Sequence, residues 1–308
     1  MKKTALLLAC SLIITACAGN KNILNEKMAK YPADKYITKL ASAAKKDDAK
    51  TAALKDLKTL FDNLLPSEGS DIRRESILSK AYSAQWWKDK ATGKYYAIAV
   101  LERGPAQQTM QPYYASIDGK LANLQQRISG EGDKYVRLKN AMQMPPLFEQ
   151  REQLDKEYRL LSFDAGAYDE ENLYAYKAAY NKTFYDIKIN AVITGADDTA
   201  VKTYLIDSLN SLGFYVGENL PEYDIELAIE TKVTNTSSQT TEGLFWADST
   251  ATISLKDAHT GGIFATFSKF ARDGSGRQDE ARRRSLISVG ADSAPIIKHK
   301  ILEYIERK

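Results

Sequence analysis

Apolar positions recur with two different periods along this chain, and each change of period marks a change of element. Ala53, Leu57, Leu60, Phe61 and Leu64 fall three or four apart, which predicts an amphipathic helix over 47–65. Asp47-Asp48 stand where an N-cap belongs, and Pro66 cannot continue the helix. Ahead of it, Lys35-Tyr36-Ile37 open a first strand or a short packing segment. Beyond it, residues 75–88 read as extended and end in Gln85-Trp86-Trp87. Ala91-Thr92-Gly93 is a turn, and Tyr95 to Leu101 is a strand. Aromatic runs on both sides of a glycine turn are a hairpin signature. Gly104-Pro105 closes it.

The helical period returns over residues 106–163. Leu121, Leu124 and Ile128 share one face, Gly130-Glu131-Gly132 breaks it, and Tyr135, Leu138 and Met142 resume it. After Pro145-Pro146 the heptad Leu147, Leu154, Leu161 continues. This stretch is read as a helical hairpin connecting two domains. In the second domain Ile187, Ile189, Ala191 and Ile193 alternate as a half-buried strand. Val201, Leu205, Leu209 and Leu212 form a helix face ended by Gly213 at C′. Strands follow at 214–216, 223–229, 246–255 and 263–269, with a turn at Ala258 to Gly262. Gly274-Ser275-Gly276 links to a closing helix carrying Leu286, Val289, Ile296, Ile297, Ile301, Leu302 and Ile305, which Pro295 is expected to kink or divide. The order β-α-β-β-β-β-α predicts an α+β fold: two antiparallel sheet/helix domains joined by a largely helical connector.

The N-terminus is a targeting segment. Met1-Lys2-Lys3 is basic, Ala5 to Ile14 is apolar except for Cys10 and Ser11, and small residues follow. The run is about half the ~20 residues of a spanning helix, so it reads as a secretory signal. With Ile14-Thr15-Ala16-Cys17 at its end, the segment resembles a bacterial lipoprotein signal, whose terminal cysteine is acylated and becomes the first mature residue. The expected additions on Cys17 are a diacylglycerol and fatty acyl groups such as palmitate. Each buried methylene contributes about 0.8 kcal/mol, so two or three chains hold a protein on a bilayer almost permanently. Ala18, rather than Asp, after the cysteine implies outer-membrane sorting by the same resemblance. The organisation expected is therefore signal peptide 1–16, lipidated N-terminus and tether 17–33, α+β domain 34–105, helical connector 106–165 and C-terminal α+β domain 166–308.

Charge and cysteine usage narrow the partners. The net charge is +3, and Lys2 and Lys3 supply two of those charges, so the mature chain is close to neutral. That balance lacks the basic excess of a nucleic-acid binder, and no nucleic-acid partner is expected. The two cysteines are Cys10 and Cys17; if Cys17 carries lipid, the mature chain has no disulfide.

Candidate chemistry is sparse. His259 and His299 are the only histidines; neither sits in a Cys/His/acid cluster of zinc-site spacing or beside a nucleophile elbow, so no metal and no catalytic residue are assigned. Gly274-Ser275-Gly276-Arg277 completes no phosphate-loop pattern. The acids Asp197-Asp198 and Asp169-Glu170-Glu171 read as caps and solvated turns. Arg272, Arg277, Arg282, Arg283 and Arg284 form the strongest basic cluster; it is either a solvated helix start interleaved with Asp273, Asp279 and Glu280 or a contact for an anion such as a phospholipid headgroup or a peptidoglycan carboxylate. Trp86 and Trp87 are adjacent, and neighbours in a strand face opposite ways, so one is expected in the core and the other exposed as a binding candidate.

The helix over 47–65, Trp87-Lys88-Asp89, and Gly93-Lys94-Tyr95-Tyr96-Ala97-Ile98-Ala99-Val100-Leu101 together resemble the family of the twenty-kilodalton bacterial lipoprotein (Lpp-twenty), with a related domain in flagellar outer-membrane ring proteins of the FlgT type. The resemblance covers residues 34–125. Where that family opens with a Gly-x-Gly strand, this chain has Ile37-Thr38-Lys39-Leu40-Ala41-Ser42. It implies a non-enzymatic, periplasm-facing lipoprotein of the outer membrane that supports a cell-envelope assembly. Its expected partners are membrane lipid through Cys17 and an envelope protein through Trp86/Trp87 or the 106–163 helices. The alternative is a peptidoglycan-binding lipoprotein, or an activator of a peptidoglycan synthase, in which Arg277 to Arg284 matter.

Overall fold

The computed structural model describes residues 21–64, 71–164, 166, 168–195, 198–236 and 243–308. The signal segment, Cys17, Pro66 and Asp197 lie outside the described residues. Two units are present: residues Met1–Ser116 with Gln150–Tyr168, and residues Ile117–Glu149 with Asp169–Lys308.

In the first unit, α1 (Lys21–Met28) leads to β1 (Tyr36–Ala43), α2 (Lys46–Leu64), α3 (Asp71–Leu78), β2 (Tyr82–Lys88), β3 (Tyr95–Glu102) and α4 (Arg103–Gln108). The strands form an antiparallel sheet in the order β1-β3-β2. The central strand has five consecutive apolar residues, Ala97 to Leu101, all fully buried, as a strand covered on both faces requires. Ala49, Ala53, Leu57 and Phe61 of α2 repeat every four residues and are buried against β1 and β3. Asp47 and Asp48 lie in its first turn, where negative charge complements the helix dipole.

One expectation needs correction here. Residues 75–88 are not extended throughout: Asp71–Leu78 is helical, and only Tyr82–Lys88 is strand, with a bulge between Ser83 and Gln85. Long-range contacts fix that helix. Arg73 forms a two-pronged pair with Glu157 at 3.0 and 2.7 Å, Arg74 pairs with Asp62 at 3.4 Å, and Ile77 is buried.

The boundary between the units falls inside α5 (Gln111–Ser129) and α7 (Pro145–Leu161), with α6 (Lys134–Ala141) between them. Asp133 caps α6, accepting hydrogen bonds from the N–H groups of Tyr135 and Val136.

The second unit continues with α8 (Glu170–Tyr185), β4 (Lys188–Gly195), α9 (Asp198–Ser211), β5 (Tyr215–Gly217), β6 (Ile225–Thr236), β7 (Phe245–Asp257), β8 (Ile263–Ser275) and α10 (Gln278–Arg307). From β4 onward this is the expected β-α-β-β-β-β-α order. The sheet runs β5-β4-β6-β7-β8; β4 pairs parallel with β5 and β6, and the remaining pairs are antiparallel. Register carries the apolar residues across it in rows. Ala191 pairs with Leu227, which pairs with Leu255; Ile193 pairs with Ile229, which pairs with Ile253. These are buried together with Val201, Leu205 and Leu209 of α9 and Leu286, Val289, Ile297 and Ile301 of α10, which packs on β7, β8 and α9. The other face of the sheet shows Thr252, Thr266, Ser268 and Phe270 as exposed residues.

Two glycines fix close approaches. At Gly195 (φ +111°) a Cβ would lie 2.1 Å from the Thr231 carbonyl oxygen, so no other residue fits. Gly213 (φ +103°) takes the left-handed position after α9, as its sequence placement implied. Gly274 behaves differently from the expected link: it belongs to β8 and lies under the Trp246 ring, which shields it. α10 runs unbroken through Pro295.

Candidate functional site

Register brings two turns of the first unit to one end of its sheet, since Ala43 and Lys88 both face Tyr95. The turn from β1 into α2 supplies Lys45 and Lys46; the β2–β3 turn supplies Lys88, Lys90 and Lys94. Lys45, Lys88, Lys90 and Lys94 are exposed, and Lys46 is half-buried. The rings between them form a row. Lys46 Nζ lies 3.8 Å from the centroid of Trp86, Trp86 is 6.3 Å from Tyr95, and Lys88 Nζ is 5.3 Å from Tyr95. Each cation sits within the range of cation–π attraction.

Trp87 stacks on Tyr96 at 5.4 Å with an interplanar angle of 11°. Neither tryptophan reaches the core: Trp86 is 44% exposed and Trp87 is half-buried. The neighbouring acids offset the lysines only in part. Asp89 is buried and used within its own turn, accepting from the N–H of Ala91 (3.1 Å), the N–H of Thr92 (3.3 Å) and the Thr92 hydroxyl (2.7 Å). Asp47 pairs with Lys50 at 3.4 Å, and Asp48 is exposed.

The arginine cluster at the start of α10 is largely compensated by its own acids. Arg277 holds Asp279 at 3.2 and 2.7 Å, while Arg283 and Arg284 share Glu280 at 3.2 and 3.1 Å. These hydrogen bonds hold the Asp279 and Glu280 carboxyls below the ordinary carboxylate range. Arg272 lies over the Trp246 ring at 5.4 Å. Arg282 is exposed and has no ion pair among the described residues.

Two buried polar clusters escaped the sequence reading. In the second unit, Asp257 is fully buried and bonded by the Tyr304 hydroxyl, by Lys308 Nζ (2.6 Å) and by the N–H groups of His259 (2.8 Å) and Thr260 (3.1 Å). Burial pushes its carboxyl up, but these donors outweigh burial and hold it well below the ordinary range. Nearby Asp224 takes Lys134 (3.1 Å), the N–H of Lys188 (2.9 Å) and His259 Nε2 (3.3 Å). Lys308 Nζ also sits 4.2 Å from the Tyr135 ring.

In the first unit, the fully buried Arg151 pairs with Asp155 and lies 4.2 Å from the Tyr114 ring, which stacks on Tyr168 at 4.4 Å. Burial, then the Asp155 carboxylate, raises the Tyr114 phenol far above its ordinary value, so it stays a neutral hydrogen-bond donor. Both clusters join residues far apart in sequence, which no local pattern displays. The visible hint was Asp257-Ala258-His259-Thr260-Gly261, an Asx-turn sequence.

Among the described residues no group of three or more His, Cys, Asp and Glu side chains is placed to hold a metal ion. His259 and His299 are exposed, beside Asp224 and Glu303 respectively.

No protein-family profile matches the chain, and no curated protein matches it. Matches among solved structures include a secreted protein of Helicobacter pylori, 14% identical over 87% of this chain and 98% of that chain, with a TM-score of 0.33. A minor lipoprotein of Acinetobacter baumannii is 16% identical over 38% of this chain and 93% of that chain, with a TM-score of 0.29. A lipoprotein of Neisseria meningitidis is 17% identical over 36% of this chain and 99% of that chain, with a TM-score of 0.25. The structural neighbours therefore include bacterial lipoproteins.

Proposed function

We propose that this chain is a non-enzymatic lipoprotein of the bacterial outer membrane, anchored through acylated Cys17, whose two α+β units scaffold an assembly of the cell envelope. The observation that carries this reading is Ile14-Thr15-Ala16-Cys17 behind a basic start and a short apolar run. A diacylglycerol on the cysteine sulfur and a fatty acyl group on its amine are the anchor. Ala18 supports the outer membrane as its destination. Among the described residues no helix is long and apolar enough to cross a membrane, and the attachment proposed is the lipid on Cys17. The aromatic hairpin Trp86 to Leu101 supports kinship with the Lpp-twenty family.

Wall binding through the α10 arginines draws less support. Three of the four guanidinium groups, those of Arg277, Arg283 and Arg284, are already engaged by Asp279 and Glu280. The scaffold reading is tested by mild crosslinking in cells, affinity recovery of the acylated protein and mass spectrometry. A stoichiometric envelope protein is the expected result. Recovery of lipid and wall fragments alone would contradict it.

A further inference from the structure

We infer that the lysine-rich end of the first unit's sheet, with the rings of Trp86 and Tyr95, is a docking surface for an anionic lipid bilayer. Lys45 and Lys46 from one turn, and Lys88, Lys90 and Lys94 from the other, reach this end from separate segments brought together by register. The acids there are fewer, and two of the three, Asp47 and Asp89, are engaged within the protein. Lysine ammonium groups are attracted to anionic headgroups at close range, and amphipathic rings favour the interface between headgroup and acyl chain.

The rings do not form a sugar platform. One face of Trp86 is taken by Lys46, and Trp87 is taken by Tyr96. The end projects as two turns. A cavity of about 390 Å³ in this unit, lined by Asp34, Lys35, Tyr36, Glu102 and Arg103, lies at the opposite end of the sheet. Projecting cations and rings fit an extended anionic surface better than an enclosed ligand.

The test uses the chain from residue 17 onward carrying Cys17→Ser, so that no lipid can be attached. Its probes are vesicles of equal parts phosphatidylglycerol and phosphatidylcholine, and vesicles of phosphatidylcholine alone. Sedimentation with the anionic vesicles only is expected, weakening as salt rises. Each surface lysine contributes about fivefold, so Lys45→Gln, Lys88→Gln, Lys90→Gln and Lys94→Gln together should weaken binding several hundredfold. Trp86→Ala should lower the binding that persists at high salt. Arg282→Gln, Arg283→Gln and Arg284→Gln together, in the other unit, should leave binding unchanged.

Equal binding to both vesicle types, no binding, an unaffected lysine variant, or loss in the arginine variant would each overturn the inference. So would retention by cell-wall sacculi in place of vesicles. Because the protein tested has no lipid, these outcomes are independent of the anchor: a failure here leaves acylation of Cys17 standing, and the reverse also holds.

Discussion

The turn between β2 and β3, Asp89-Lys90-Ala91-Thr92-Gly93, and the turn between β7 and β8, Asp257-Ala258-His259-Thr260-Gly261, share one design. In each, the aspartate side chain accepts the N–H groups two and three residues on. In each, the aspartate carbonyl accepts the glycine N–H at 2.8 Å, and the glycine sits near φ +70°. The threonine hydroxyl accepts the second N–H beyond it, at 3.4 and 3.3 Å. The turns part ways at the second carboxylate oxygen. That of Asp89 takes the Thr92 N–H and hydroxyl; that of Asp257 takes Tyr304 and Lys308. The same local chemistry thus stands beside the exposed Lys88, Lys90 and Lys94 in one unit and, in the other, gives Tyr304 and Lys308 a buried carboxylate to bond. What packs behind a turn decides its use.

Substitutions can break this comparison, and the largest effect should come from Asp257→Ala. It removes the buried acceptor of the Tyr304 hydroxyl, of Lys308 and of two turn N–H groups, at a cost of about 2 kcal/mol, whereas Asp89→Ala should cost about 1 kcal/mol. Amide hydrogen exchange in β7–β8 and in β2–β3 measures the two; equal losses would erase the distinction. The Asp257 contribution also depends on pH. Its folded carboxyl is held low, so the stability it adds is complete above the unfolded value of about 3.9 and declines as pH falls below that. The gap between the native protein and Asp257→Asn in urea unfolding should therefore be constant near neutrality and narrow below about pH 4. A gap that widened on acidification would refute the assignment.

Gly93→Ala and Gly261→Ala sharpen the comparison from the other side. Neither position has a neighbour within 4 Å of a new Cβ, so each substitution meets only the left-handed backbone. Both should cost about 1 kcal/mol, and thermal unfolding that separated them clearly would show the turns are not equivalent. The smallest effect is expected at Lys90→Gln, within about 0.5 kcal/mol of native stability, which leaves vesicle binding as its readout.

Much of the fold was legible where burial is one-sided. The four-residue spacing of Ala53, Leu57 and Phe61 and the alternation of Ile189, Ala191 and Ile193 carry their own period. Alternation is identical in parallel and antiparallel strands, so the parallel pairing of β4 could not be seen in it. α8 was hidden because its aromatics lie on several sides: Tyr174 is 79% exposed while Phe184 is buried. α3 depends on Glu157, distant in sequence, and Gly274 reads as a link until Trp246 is seen to cover it. In the candidate site, Trp86 and Trp87 were offered together with no choice between them, and the lysines beside Trp86 gain meaning only through the register that brings two turns together.

The most direct measurement is intact mass spectrometry of the protein recovered from the membrane fraction of its own cells. The expected species is a chain beginning at Cys17 and heavier by a diacylglycerol and a fatty acyl group. An unmodified Cys17, or a mature chain beginning elsewhere, would contradict it.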